Sequence, residues 1–247
     1  MFQALPPTRY DLCFSLGGIP VRVHPLFWLI ALLLGSSGDL WTIPLWIFVV
    51  FVSVLVHELG HALAFRFYGI RSQIVLHAMG GLTIPEAAPW GAGWARVSPS
   101  PKQEIVISLA GPFAGFAFAA LVMFGVTLAG GALFTSRLFG ILPLPLTAFL
   151  PFGGNLLSVF VTMLLFVNVF WGIFNLLPVF PLDGGQVTRN VLIQYDPWDG
   201  ARKALWISVI AGGVIALLGL FVMRSLYVAL LFGILAFQSY QSLQSRY

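Results

Sequence analysis

Charged side chains are scarce in this chain. Only 8% of its 247 residues are Asp, Glu, Lys or Arg, against roughly 25% in a soluble domain. With 59% hydrophobic residues, it carries more apolar surface than an aqueous fold of this length can hide, so a water-soluble globule is excluded. The lipid bilayer is the partner this composition requires, and the chain is expected to be an integral multi-pass membrane protein. Cysteine is nearly absent. Cys13 stands alone, so no internal disulfide can form and packing must hold the fold. A basic patch is missing too: the net charge of +4 comes from 12 scattered Lys and Arg residues, which bear on membrane topology and do not call for nucleic acid. The first residues lack the pattern of a cleaved signal peptide, so the first apolar segment is expected to act as its own insertion signal. No internal repeat, charge run or appended soluble domain is visible, and we expect one membrane-embedded domain over 1–247.

Apolar segments separated by Gly, Pro and charge predict an all-α polytopic membrane protein. About six transmembrane helices are expected, near 25–35, 41–67, 103–128, 156–177, 204–223 and 226–240. A span needs about 20 residues. The second to fifth segments reach that length, the sixth is slightly short, and the first has an apolar core of about a dozen residues. Lys and Arg divide unevenly between the two sides of this arrangement. One side holds Arg9, Arg22, Arg66, Arg71, Arg96, Lys102, Arg189, Arg202, Lys203 and Arg246, and the other only Arg137 and Arg224. That asymmetry predicts both termini in the cytoplasm, in a cell membrane of bacterial type. Dropping the first span would mix the two sets. Between the second and third spans, 72–78 alternates like a short strand and is followed by Gly80-Gly81 and a brief apolar stretch to Ile84; Gly and Pro then argue against a helix up to Pro101. The segment 130–154, broken by Pro143, Pro145 and Pro151, is expected to be interfacial or partly re-entrant.

Two strings carry chemistry. His57-Glu58-Leu59-Gly60-His61 lies within the second span, and Asn175-Leu176-Leu177-Pro178-Val179-Phe180-Pro181-Leu182-Asp183-Gly184-Gly185 follows the fourth. Residues four apart share a helix face, so His57 and His61 can present imidazoles to one ion. Glu58 sits beside them, placed to take a proton from a water that the ion activates. A catalytic zinc site takes three protein ligands and keeps an open position, and Asp183 is the leading candidate for the third. Carboxylates at bilayer depth cost on the order of 3 kcal/mol unless paired or facing a cavity, and a His-Glu-x-x-His match arises by chance roughly once per thousand such chains. The bland alternative is a polar cluster that glues helices together. Pro178 and Pro181 should stop the fourth helix, and Gly184-Gly185 should let the backbone turn sharply. Irregular backbone at that depth needs surrounding protein or a water-filled cavity.

Other polar residues read more plainly. His24 and His77 are expected to be hydrogen-bonded structural residues. Glu104 should open the third span, where a carboxylate meets a helix N-terminus favourably. Glu86 fits a surface residue or a lid element equally. Asn175 fits a donor to a substrate carbonyl or a packing group, whereas Asn168 reads as packing, and Ala110-Gly111-Pro112 with Gly115 as a close helix contact.

The chain closely resembles the site-2 protease family of intramembrane zinc metalloproteases. The resemblance rests on His57 to His61, on Asn175 to Gly185 with its terminal Leu-Asp-Gly, on Gly18-Ile19-Pro20-Val21-Arg22-Val23-His24-Pro25, and on Glu104 through Pro112. It implies one zinc ion held by His57, His61 and Asp183, with Glu58 as base and Asn175 assisting the substrate. It further implies a membrane-anchored protein substrate, cut in or near its transmembrane segment. Room for an inserted PDZ-like domain or a CBS pair is not evident, so the compact subgroup is the expected match. Leu176-Leu177 departs from members that are more polar or carry proline there.

The resulting expectation is an intramembrane zinc endopeptidase. Because a regular helix hides its amides, a substrate helix must unwind, and 72–78 is expected to be an exposed edge that pairs with it. The rivals are a zinc transporter and a catalytically inactive membrane metal-binding protein. The polar cluster on one side only and the intact Glu58 speak against them. Substrate identity and oligomeric state are not encoded legibly.

Overall fold

The computed structural model describes residues 6–35, 42–78, 80–86, 99–138 and 142–244; most of the Gly- and Pro-rich stretch before Pro101, with Arg96, lies outside them. The chain divides into two compact units, residues 1–97 with 113–172 and residues 98–112 with 173–247. The first unit holds β1 (Leu12–Leu16), β2 (Ile19–Val23), α1 (Pro25–Gly35), α2 (Ile43–Phe67), β3 (Ser72–His77) and β4 (Gly80–Pro85). It also holds most of α3 (Pro101–Leu128), the hairpin β5 (Ala132–Leu138) and β6 (Leu142–Phe149), and most of α4 (Gly154–Asn175). The second unit holds the first turns of α3, the end of α4, and α5 (Asp183–Tyr195), α6 (Gly200–Phe221) and α7 (Leu226–Gln244).

Five of the described helices, α2, α3, α4, α6 and α7, are long and apolar enough to cross a membrane. Their outward side chains, among them Ile210 and Leu217 on α6 and Leu230, Ile234 and Phe237 on α7, are exposed apolar groups that lipid suits and water does not. The first expected span is the shortest. Helix α1 has 11 residues, about 16 Å of rise against roughly 30 Å of hydrocarbon, because the apolar sequence gives way to Ser36-Ser37-Gly38-Asp39. The helix is nevertheless fixed in place. His24 accepts the Leu26 N–H through Nδ1 at its start, and Trp46 of α2 donates to the Ala31 carbonyl. At the head of α3, Ser100 and Gln103 exchange side-chain-to-backbone hydrogen bonds, and Glu104 occupies the first turn as its sequence position implied.

A four-stranded sheet in the order β1-β2-β3-β4 packs beside α2. Gly17 and Gly18, both at positive φ (54° and 83°), make the two-residue turn between β1 and β2. Strand β2 runs parallel to β3 with Val21 opposite Ile74, and β3 runs antiparallel to β4 with Ser72 opposite Pro85. The strand expected at 72–78 therefore exists, but it is an interior strand and not an exposed edge. The cause is burial: Ile19, Val21, Val23, Ile74 and Leu76 form one core with Phe27 of α1 and Val54, Leu55 and Ala62 of α2. A strand with that much apolar surface gains most from neighbours on both sides. The edges fall to β1 and β4.

The chain reaches β3 through Gly69, whose positive φ of 74° ends α2. The Ile70 N–H then reaches back to the Phe65 carbonyl and the Gly69 N–H to that of Arg66. The segment 130–154 is not a seventh helix. Its described part is an antiparallel hairpin with a register shift between Phe134 and Ser136. It is tied to α4 where the Ala148 N–H donates to the Thr162 hydroxyl and the Leu150 N–H to that of Ser158. Pairing leaves these apolar strands fewer unsatisfied amides than an irregular re-entrant path would. Small residues bring α3 and α4 together as expected: a Cβ on Gly172 would lie 2.4 Å from the Phe116 ring, and one on Gly115 would touch the Asn168 carbonyl.

Asp11 locks the start of the first unit. It accepts hydrogen bonds from the Thr8 hydroxyl and from Arg22 of β2 (2.8 Å), which hold its carboxyl down at about 2 against an ordinary 3.8. A depressed carboxylate contributes stability above the unfolded value and loses it as pH falls through the folded one. Wild type should therefore melt above Asp11→Asn at pH 5, and the gap in Tm should close between about pH 4 and pH 2. A gap independent of pH would show that the ionised form is not what stabilises this end.

Candidate active site

Helix α2 brings His57, Glu58 and His61 onto one turn. Their exposures are 4%, 4% and 7%, in a helix whose other residues are apolar save Ser53 and Arg66. The imidazoles meet edge to face at an interplanar angle of 80°, and Nε2 of His57 lies 3.1 Å from Nε2 of His61. Two nitrogens bound to one tetrahedral zinc at 2.0–2.1 Å would be roughly 3.3 Å apart. The separation of the pair is close to that spacing.

Glu58 is held from the strand side. The Thr83 hydroxyl of β4 lies 2.7 Å from Glu58 Oε2 and 3.1 Å from the Glu58 carbonyl. Gly81, two residues earlier and so on the same face of the strand, leaves the space the carboxylate occupies: a Cβ there would come within 2.5 Å of Cγ, Cδ and Oε1. Sequence reading marked Gly80-Gly81 but missed Thr83. The available signal was strand alternation, which places position 83 on whichever face Gly81 opens.

The second motif shapes part of the second unit. Helix α4 ends at Asn175, as Pro178 required, and Asn175 is 9% exposed. Short backbone hydrogen bonds follow, from the Val179 N–H to Leu177 and from the Leu182 N–H to Val179. The Phe180 N–H is taken by the Ser208 hydroxyl of α6. Asp183 then opens α5, half-buried in its first turn. The glycines behave differently from expectation. Gly184 and Gly185 are helical, and what they supply is close approach: a Cβ on Gly184 would lie 2.1 Å from the Leu176 carbonyl oxygen, and one on Gly185 2.5 Å from the Phe180 nitrogen. They let the start of α5 lie directly against the preceding backbone.

The remaining polar residues lie outside the His57–His61 turn. Asn168 donates to the Ser53 hydroxyl and to the Leu164 carbonyl, both at 2.9 Å, joining α4 to α2. His24 caps α1, and His77 is buried on β3, where desolvation and then the positive neighbours His24 and Arg22 push its pKa down. Glu86 is exposed just past β4, its N–H bonded to the Arg71 carbonyl. Glu104 is half-buried within electrostatic reach of Arg189.

Comparison with known proteins agrees with this chemistry. A zinc metalloprotease of Methanocaldococcus jannaschii is 28% identical over 185 residues, covering 72% of this chain and 44% of its own length. A relative from Synechocystis sp. is 29% identical over 195 residues, covering 73% of this chain and 43% of its own. The chain thus spans less than half the length of these curated relatives. The solved site-2 protease of Methanocaldococcus jannaschii shares the fold, with a TM-score of 0.55 at 24% identity over 95% of each chain. The profile of peptidase family M50 matches residues 45–219, a stretch that takes in both motifs whole, and the chain belongs to that family.

Proposed function

We propose that this chain is an intramembrane zinc endopeptidase that cuts membrane-anchored proteins in or near their transmembrane segments. The observation that carries the reading is the buried His57-Glu58-His61 turn on a helix of membrane-crossing length. We propose His57, His61 and Asp183 as the ligands of one zinc ion, with the two units working as one metalloprotease domain. The donor chemistry supports this. Two imidazoles and a carboxylate are a set that catalytic zinc accepts, and the sequence sets both histidines on one helix face and the aspartate in the second motif. When bound, zinc would polarise the scissile carbonyl and make water a competent nucleophile near neutral pH.

The chain's own groups do the rest. Glu58 takes a proton from the attacking water as the water oxygen bonds to the carbonyl carbon. It returns that proton to the amide nitrogen as the C–N bond breaks, so the products are a carboxylate and an amine. The Asn175 side-chain amide donates a hydrogen bond to the carbonyl oxygen as charge builds on it. An extended, unwound substrate can lie along β4, whose outer edge no described strand pairs and whose face holds Glu58.

Asp183→Ala should lose most of its zinc by metal analysis of the purified protein. Retention at wild-type stoichiometry would move the third ligand elsewhere, with Glu86 and Glu104 next to test. Glu58→Gln should keep zinc and fold, yet cleave a single-span substrate at least ~100-fold more slowly. Cleavage at a similar rate to wild type would remove Glu58 from its role as base.

The division of basic residues also supports both termini lying in the cytoplasm. Cys13, exposed on β1 and the one cysteine in the chain, is a native probe of this. A membrane-impermeant maleimide should label it in inverted vesicles and not in intact cells. A cysteine placed at position 246 in a Cys13→Ser background should behave the same way, and labelling of the two sites from opposite faces would remove α1 as a crossing segment.

A further inference from the structure

Glu58 has two carboxylate oxygens in unlike surroundings. Oε2 is 2.7 Å from the Thr83 hydroxyl. Oε1 lies over Gly81, where the missing side chain leaves it room and offers no donor side chain. Strand β4 has little freedom to shift this arrangement. Gly81 stands opposite Leu76 and Thr83 opposite Ile74, and both of those partners are fully buried core residues. Sliding the strand by one residue would turn Thr83 away from α2 and bring Leu82 or Ile84 towards the carboxylate.

We propose that Thr83 is the positioning residue for the base, holding Oε2 and so fixing the direction in which the Glu58 carboxylate faces. The proposal rests on the reading of Glu58 as that base. A hydroxyl carries one proton and can commit it to one strong bond. Between the Glu58 carbonyl at 3.1 Å and Oε2 at 2.7 Å, the side-chain oxygen is the closer acceptor. The carboxylate is thereby held against rotation about its terminal bond, a broad torsion that staggered preferences barely restrain. Gly81 completes the arrangement, because any larger residue would displace Oε1.

Thr83→Val keeps shape and volume but removes the donor, and Thr83→Ser keeps the donor but removes a methyl group. Purified full-length protein in lipid vesicles, assayed with a single-span substrate, should show kcat for Thr83→Val lowered roughly 10- to 100-fold, the range a charge-assisted hydrogen bond spans. KM, zinc stoichiometry and Tm should stay near wild type, and Thr83→Ser should recover most of the rate. In a Glu58→Gln background, Thr83→Val should slow the residual cleavage no further, since the group it positions is gone. Wild-type turnover in Thr83→Val, equal losses in Val and Ser variants, or a rise in KM at unchanged kcat would each overturn the assignment while leaving Glu58 as base. If Thr83→Val loses zinc or fails to fold while Thr83→Ser is fully active at normal KM, the hydroxyl is structural and the assignment is likewise overturned. An active Glu58→Gln would remove the base itself, a separate result that the single variant reads directly.

Discussion

A polar atom in the interior of an apolar helix has no water to turn to, and the first unit is arranged around that constraint. Helix α2 carries Ser53, His57, Glu58 and His61 among otherwise hydrophobic neighbours, and all four are buried. Each must find its partner in protein, because an unsatisfied group there costs several kcal/mol. Ser53 is met by Asn168 from α4, Glu58 by Thr83 from β4, and the two histidines meet each other. The partners come from different parts of the chain, so α2 can be satisfied only after its neighbours have packed.

That requirement explains a sheet in a protein of long apolar helices. Strands expose a backbone that the bilayer interior will not solvate, and here the interior strands β2 and β3 share a core with α1 and α2. With β3 held between β2 and β4, the register of β4 is set by residues that never approach the carboxylate. Gly81 and Thr83 then fall beside Glu58 as a consequence of strand periodicity. The edge strand thus supplies both the hydroxyl that meets Glu58 and a row of backbone groups suited to an extended chain. A polar wall and a docking edge are combined in one short element.

In the second unit the same economy rests on glycine. The backbone between Asn175 and Asp183 bends back closely enough that Gly184 and Gly185 have no space for a Cβ. Asp183 sits at the first residue of α5 as a result, where the unsatisfied N–H groups of a helix start favour an ionised carboxylate.

The sequence by itself determined the solvent, the helices and the chemistry. Scarcity of charge demanded a bilayer, apolar length marked the five long helices, and four-residue spacing put His57 and His61 on one face with Glu58 between them. These are properties of local periodicity and composition, which need no knowledge of what packs where. Tertiary structure decided the rest. Alternation identified β3 but could not say whether its edges were paired, because pairing depends on β2, some fifty residues earlier, whose own short hairpin is announced only by Gly17-Gly18. The glycines after Asp183 looked like turn formers because conformational freedom and lack of a side chain are indistinguishable in a sequence, and only contact with the Leu176 and Phe180 backbone separates them. Thr83 was silent for the same reason. A hydroxyl acquires a role only when the fold sets a buried carboxylate beside it.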